Sequence, residues 1–134
     1  MKLKIVTRRK KEVVDITDEV NEVLAKSKIE LGICHLFLTH TTAALTTADL
    51  DPGTDLDILD AIDEIIPKIK YRHPHDPSHT PDHIASTLIG TDLTIPFENK
   101  KLILGSWQRV VLIEFNGPRE REIMVSITSS NFED

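Results

Sequence analysis

The chain has 134 residues, 40% of them apolar, 28% charged and only 4% aromatic, so it can build one domain over residues 1–134 with a core of Ile, Leu and Val. Its 16 Lys and Arg stand against 22 Asp and Glu, a net charge of −6, which argues against a nucleic-acid binder because counter-ion release needs a basic surface. The single cysteine, Cys34, excludes an internal disulfide and suits a reducing cytoplasm. No apolar run nears the roughly 20 residues of a membrane span, and none behind Met1 reads as a signal peptide.

Leu3 to Thr7 and Val13 to Ile16 read as short strands, with the basic run Arg8 to Lys11 as a solvated turn between them. A helix follows, with Thr17 as its cap, Asp18 and Glu19 at its positive end, and Ile16, Val20, Val23 and Leu24 at helical spacing. Gly32 releases the chain into an apolar strand, Ile33 to His40, whose alternation sets Cys34, Leu36, Leu38 and His40 on one face. Thr41 to Thr47 continues as a second strand after a bend, and Asp51-Pro52-Gly53 is a turn. Beyond the turn, Leu56, Leu59, Ile62, Ile65 and Ile66 line one face of a helix that Pro67 stops. Its aspartates read as a solvated acidic face.

Thr80-Pro81-Asp82 starts a further short helix, with Thr80 as its cap and Pro81 at its first position, whose buried face is Ile84 and Leu88 and which Gly90 ends. The last third alternates apolar runs with turns, giving antiparallel strands over 93–96, 102–104, 108–115 and 123–127. Helices in the middle and strands at the end make an α+β pattern.

Six histidines carry the chemistry the chain can offer, and four of them, His73, His75, His79 and His83, fall within eleven residues. Imidazole binds transition metals and moves protons near neutral pH, so a loop-borne cluster is a candidate site. The spacing matches no zinc signature, and a solvated polar loop is the alternative. His40, at the end of its strand, either points into a cleft or bonds a neighbouring carbonyl. Trp107 is a candidate wall for a flat ring, or a core or interface residue, and Gln108 a reader of the ring's edge. Arg119, after Asn116-Gly117-Pro118, is aimed at a phosphate or carboxylate or is an ordinary surface residue. Walker, dinucleotide and Gly-x-Ser-x-Gly motifs are absent from the sequence.

The order of several short motifs goes further. They are His40-Thr41-Thr42-Ala43-Ala44, Asp51-Pro52, Tyr71 with His73, and His83-Ile84 followed by Ser86, Leu88 and Gly90. Ile95-Pro96, Leu104 to Gln108 and Glu114 to Arg119 complete the series. In this order they resemble the YjbQ family, small proteins also described as secondary thiamine-phosphate synthases. The resemblance implies an α+β fold with a distorted antiparallel β-sandwich, assembled as a homotrimer. It implies a cleft in which His40, His73 and His83 hold a divalent metal ion, zinc or magnesium, with His40, His83 and Asp49 as catalytic residues. Trp107, Gln108, Arg119, Ser86 and Lys101 then bind a small phosphorylated metabolite. The implied reaction joins a pyrimidine pyrophosphate to a thiazole phosphate and releases pyrophosphate. A metal-dependent phosphohydrolase and a non-enzymatic metal- or metabolite-binding trimer are the rival expectations. Ala48-Asp49 stands where the family usually has Asn-Glu, Ser78-His79 where it has an acidic pair, and Asn116 where Asp is common.

Overall fold

Three layers stack in the computed structural model, which describes residues 1–131. Eight strands and three α-helices follow in chain order: β1 (Lys2–Val6), β2 (Glu12–Asp15), α1 (Thr17–Lys26), β3 (Leu31–Leu38), β4 (Ala43–Ala48), α2 (Thr54–Ile65), α3 (Thr80–Ile89), β5 (Asp92–Glu98), β6 (Lys101–Leu102), β7 (Arg109–Glu114) and β8 (Glu120–Ser129). One antiparallel sheet has the order β1-β8-β3-β5-β6, and a smaller one the order β2-β7-β4. β1 and β2, neighbours in sequence, pair with β8 and β7 in different sheets, so the basic run crosses between layers and does not close a hairpin. No helix among the described residues is long and apolar enough to cross a membrane.

The inner faces of the two sheets and α1 enclose the larger core, in which Cys34, Leu36 and Leu38 of β3 meet Leu45, Val110 and Leu112 of the small sheet. The expected alternation of β3 holds as far as Leu38, where the strand ends, two residues short of His40. β7 is buried on both faces: Val110 and Leu112 point into this core, while Val111 and Ile113 join a second one under α2 and α3. That double burial is why β7 reads as a continuous apolar run with no alternation.

Several helix expectations shift by a face or a residue. Thr17 does not cap α1; Ile16 occupies the cap position without a side-chain bond, and Asp15 Oδ1 accepts from the Thr17 N–H at 3.0 Å. The Thr17 hydroxyl instead donates to Asp15 at 2.7 Å and accepts from the Val110 N–H at 2.8 Å, tying the helix to β7. On α2, Ile58, Leu59, Ile62 and Ile66 form the stripe that packs on the second core, and Leu56 and Ile65 fall at its two margins and stay exposed. α3 presents Asp82, Ala85 and Ser86 to the small sheet, so Leu88 faces outward, contrary to the spacing. Small residues let the helix approach β4 closely, and the Ser86 hydroxyl donates to the Ala43 carbonyl at 2.7 Å. Thr80 is the first residue of α3 and not its cap, and its buried hydroxyl has no partner among the described residues.

Gly32 of β3 lies tight against the β8 backbone. A Cβ there would lie 1.9 Å from the Thr128 carbonyl oxygen, which is backbone and cannot swing away. Gly32→Ala is therefore expected to cost about 3 kcal/mol. Urea unfolding of the two proteins checks this, and a loss under about 0.5 kcal/mol would contradict the close approach.

Candidate functional site

Where β3 ends, the chain turns through Thr39 to Thr42 before β4, and this turn faces the N-terminal part of α3 and the β7–β8 loop. Between them opens a cleft of about 720 Å3 lined by His40, His73, His79, His83, Arg119 and Arg121, among others. A second hollow of about 560 Å3, reaching Phe37, Ser86 and Thr87, adjoins it and shares the wall made by Thr39, His40, Thr41 and His83.

The floor is a buried ion pair that the sequence reading passed over. Arg121 and Glu114 are 2% and 0% exposed. Arg121 donates through Nε to Glu114 Oε1 at 2.9 Å and through Nη2 to Glu114 Oε2 and to the Thr42 carbonyl at 3.1 Å. The Thr7 hydroxyl donates to Glu114 Oε1 at 2.7 Å and accepts from the Arg119 N–H at 2.9 Å, while the Asn116 N–H donates to Glu114 Oε2 at 3.1 Å. Burial works to raise the Glu114 carboxyl, but the Arg121 guanidinium, the Thr7 hydroxyl and the Asn116 N–H hold it below the usual carboxylate range. A signal for the pair was present. Arg121 shares the inward phase of Ile123 and Val125, and Glu114 ends the apolar run of β7.

This network sets the β7–β8 loop, and the loop sets Arg119. Its Nε donates to the Asn116 carbonyl at 2.8 Å, and its two terminal nitrogens have no partner among the described residues. Glu120, the acid on the same wall, is turned toward Lys4 at 3.8 Å. Arg119 is thus a cation with open donors on the cleft, in a geometry suited to a phosphate.

The two central histidines are held in opposite ways. His40 Nε2 accepts the Glu122 N–H at 2.8 Å, and burial, reinforced by the nearby Arg121 charge, pushes its imidazole below the ordinary value. His83 donates through Nδ1 to the Thr41 carbonyl at 3.0 Å, which leaves Nε2 as its open nitrogen. The His73 ring stacks on His83 with centroids 5.1 Å apart and planes 24° apart, and His79 lies 3.2 Å from Asp76.

The expected three-histidine metal site does not fit this arrangement. The Nε2 lone pair of His40 is taken by the main chain, which leaves only His73 and His83, stacked 5.1 Å apart, of the three expected ligands. Among the described residues, no group of three or more His, Cys, Asp or Glu is arranged to hold an ion.

Of the other expected site residues, only Arg119 lines the main cleft. Ser86 borders the adjoining hollow, but its hydroxyl proton is committed to Ala43. Asp49 and Trp107 share a separate recess with Arg109, where Asp49 accepts the Asp51 N–H at 3.0 Å and the indole is 75% exposed. Gln108, next to that recess, is occupied by the Gly105 N–H at 3.1 Å and the Thr47 hydroxyl at 3.0 Å. Lys101 is exposed on the edge strand β6, opposite Glu98. Within one chain these residues do not converge with the histidines.

Comparison with known proteins agrees with the order of motifs and with the layers. A UPF0047 protein of Archaeoglobus fulgidus is 35% identical over 126 residues, spanning 93% of this chain and 98% of its own. The UPF0047 protein YugU of Bacillus subtilis is 34% identical over 126 residues, spanning 93% of this chain and 96% of its own. A crystal structure from Sulfolobus solfataricus, described as a YbjQ-like protein of unknown function, superposes with a TM-score of 0.89 at 36% identity, covering 97% of this chain and 96% of that one. The family model for UPF0047 YjbQ-like proteins matches residues 1–130, so with the fold and the motif order in agreement the chain belongs to the YjbQ-like UPF0047 family.

Proposed function

We propose that the cleft around His40, His83 and Arg119 is an active site for phosphorylated small molecules, and that it couples a pyrimidine pyrophosphate to a thiazole phosphate. The observation that carries this reading is the meeting of two hollows at the His40–His83 wall, with the open guanidinium of Arg119 on one side. Two neighbouring subsites suit a reaction of two substrates held in contact. In that reaction the thiazole ring nitrogen forms a bond to the pyrimidine methylene carbon as the bond from that carbon to the pyrophosphate oxygen breaks. The nitrogen supplies the electron pair and pyrophosphate leaves with the other, so no proton has to move. The work left to the protein is to hold the two rings together and to stabilise negative charge on the departing group, which Arg119 and neutral N–H donors do.

The exposed Ile65 and Leu88, which border one apolar hollow between α2 and α3, support self-association, and this reading takes the assembly to be the homotrimer that the family resemblance implies. Light scattering of the purified protein tests the assembly. Hydrolysis of a phosphorylated compound is the second reading, favoured by the open Nε2 of His83, a base placed to take a proton from water.

Thiamine phosphate formation by the wild type, His40→Ala and Arg119→Ala tests the coupling. Product from the wild type and a loss of about 100-fold in each variant is the expected result, the size seen when one donor to a developing charge is removed. Absence of product from the wild type, or equal rates in all three, would overturn it. Phosphate release with no coupled product would favour the hydrolase.

A further inference from the structure

We propose that His40 serves as a neutral hydrogen-bond donor to a phosphoryl oxygen through Nδ1, with its tautomer fixed by the main chain, and is not a metal ligand. The inference rests on the reading of the cleft as a phosphate site. Its ground is a register detail. The β3–β8 ladder ends at Leu38 opposite Ile123, while β8 continues back to Glu120. The Glu122 N–H therefore faces a stretch in which β3 no longer offers a strand partner. Thr39 still donates its N–H to the Glu122 carbonyl at 3.3 Å, and the His40 ring takes the Glu122 N–H on Nε2 at 2.8 Å.

A nitrogen that accepts a backbone N–H cannot itself carry a hydrogen, so the ring hydrogen of neutral His40 stands on Nδ1. Turning the ring over would set a C–H against the same N–H, so this bond also fixes the orientation. Nδ1 has no partner among the described residues and is not shut off from the cleft. A metal ion could bind His40 only if the hydrogen moved to Nε2, which would set two hydrogens against each other at Glu122. His83 is arranged in the reverse sense, with Nδ1 committed to the Thr41 carbonyl and the lone pair of Nε2 open. The shared wall of the two hollows therefore presents one N–H and one lone pair. Beside Arg119 and the hydroxyls of Thr39 and Thr41, the N–H of His40 matches an oxygen of a phosphate or pyrophosphate group.

Long-range 1H–15N spectra of the uniformly labelled wild type test the tautomer directly, with no variant needed. The expected result is a protonated Nδ1 and a bare Nε2 on His40, with the Nδ1 signal moving when inorganic pyrophosphate is added in the presence of EDTA. Two substitutions separate a donor from a structural prop. His40→Asn keeps an N–H near the Nδ1 position and gives up the acceptor for Glu122, whereas His40→Gln keeps that acceptor and gives up the donor. Pyrophosphate affinity within about threefold of wild type for Asn, and at least tenfold weaker for Gln, is expected. A hydrogen on Nε2, no pyrophosphate binding in EDTA, zinc-induced shifts of the His40 ring nitrogens, or Gln binding better than Asn would overturn the proposal. Binding in EDTA with the expected tautomer but no thiamine phosphate would leave this inference standing and sink the coupling reaction. Zinc-dependent coupling with the His40 signals perturbed by zinc would do the reverse.

Discussion

Arg121→Met is expected to lower folding stability by about 3–5 kcal/mol, because it leaves the Glu114 carboxylate buried without its guanidinium. For a domain of this size that loss corresponds to a fall in Tm of roughly 10–20 °C. The cost lies in the orphaned charge and not in the pair as such. Replacing both residues, Arg121→Met with Glu114→Leu, should therefore cost clearly less than the sum of the two single changes, and a urea-denaturation double-mutant cycle reads the difference. Additive losses would mean that the two side chains do not act as a unit. The same pair sets an acid dependence. Glu114 is held below the usual carboxylate range in the folded protein, so the unfolded chain binds its proton first as pH falls. Its contribution is complete above the usual range and is lost as pH drops through the folded value. Wild-type stability should fall over that window, and Glu114→Gln should flatten the fall while lowering stability at neutral pH.

Gly117→Ala is expected to weaken pyrophosphate binding at least tenfold and to cost about 2–3 kcal/mol of stability. A Cβ at Gly117 would lie 2.2 Å from the Arg9 carbonyl oxygen, 2.8 Å from Glu114 Cγ and 2.9 Å from the Thr7 hydroxyl. The Gly117 N–H also donates to the Lys10 carbonyl at 2.9 Å, so the loop is pinned to the basic run from which the clash arises. The loop has to move, and it carries Asn116 and Arg119 with it. Gly105→Ala is the control, since a Cβ there meets only Gln108, at 3.7 Å and beyond, which is ordinary contact. Calorimetric titration with pyrophosphate, run beside thermal melts, separates the two effects. Unchanged affinity in a destabilised Gly117→Ala protein would show that the position of Arg119 does not depend on this close approach.

Local chemistry made much of the chain legible. The alternation of β3, the apolar run of β7 and Gly90 at the end of α3 are all written in neighbouring residues. Family membership was legible in the order of short motifs, and so were His40, His83 and Arg119 as residues to watch. Helix faces were less so. Leu56, Ile65 and Leu88 sit at plausible spacings, but which arc of α2 or α3 is covered depends on how the helix meets the small sheet, and on α3 it is Ala85 and Ser86 that face it. The expected substrate groups on Trp107, Gln108, Asp49 and Lys101 lie apart from the histidines within one chain, because spacing along a chain carries no information about which sheet edges come together.

The sequence by itself determined the α+β class, most of the strands and the family, since these follow from residue periodicity, turn chemistry and motif order. The tertiary structure alone decided what the site residues can do. Glu114 and Arg121 become an anchor because β7 and β8 bring them into one buried space, and Arg119 keeps open donors because the loop between those strands is held by Thr7 from the far end of the chain. His40 loses the lone pair a metal would need because β3 ends before β8 does, leaving a main-chain N–H that the nearest ring nitrogen accepts. Protonation and availability are properties of a residue's partners, and those partners stand up to 112 positions away in sequence.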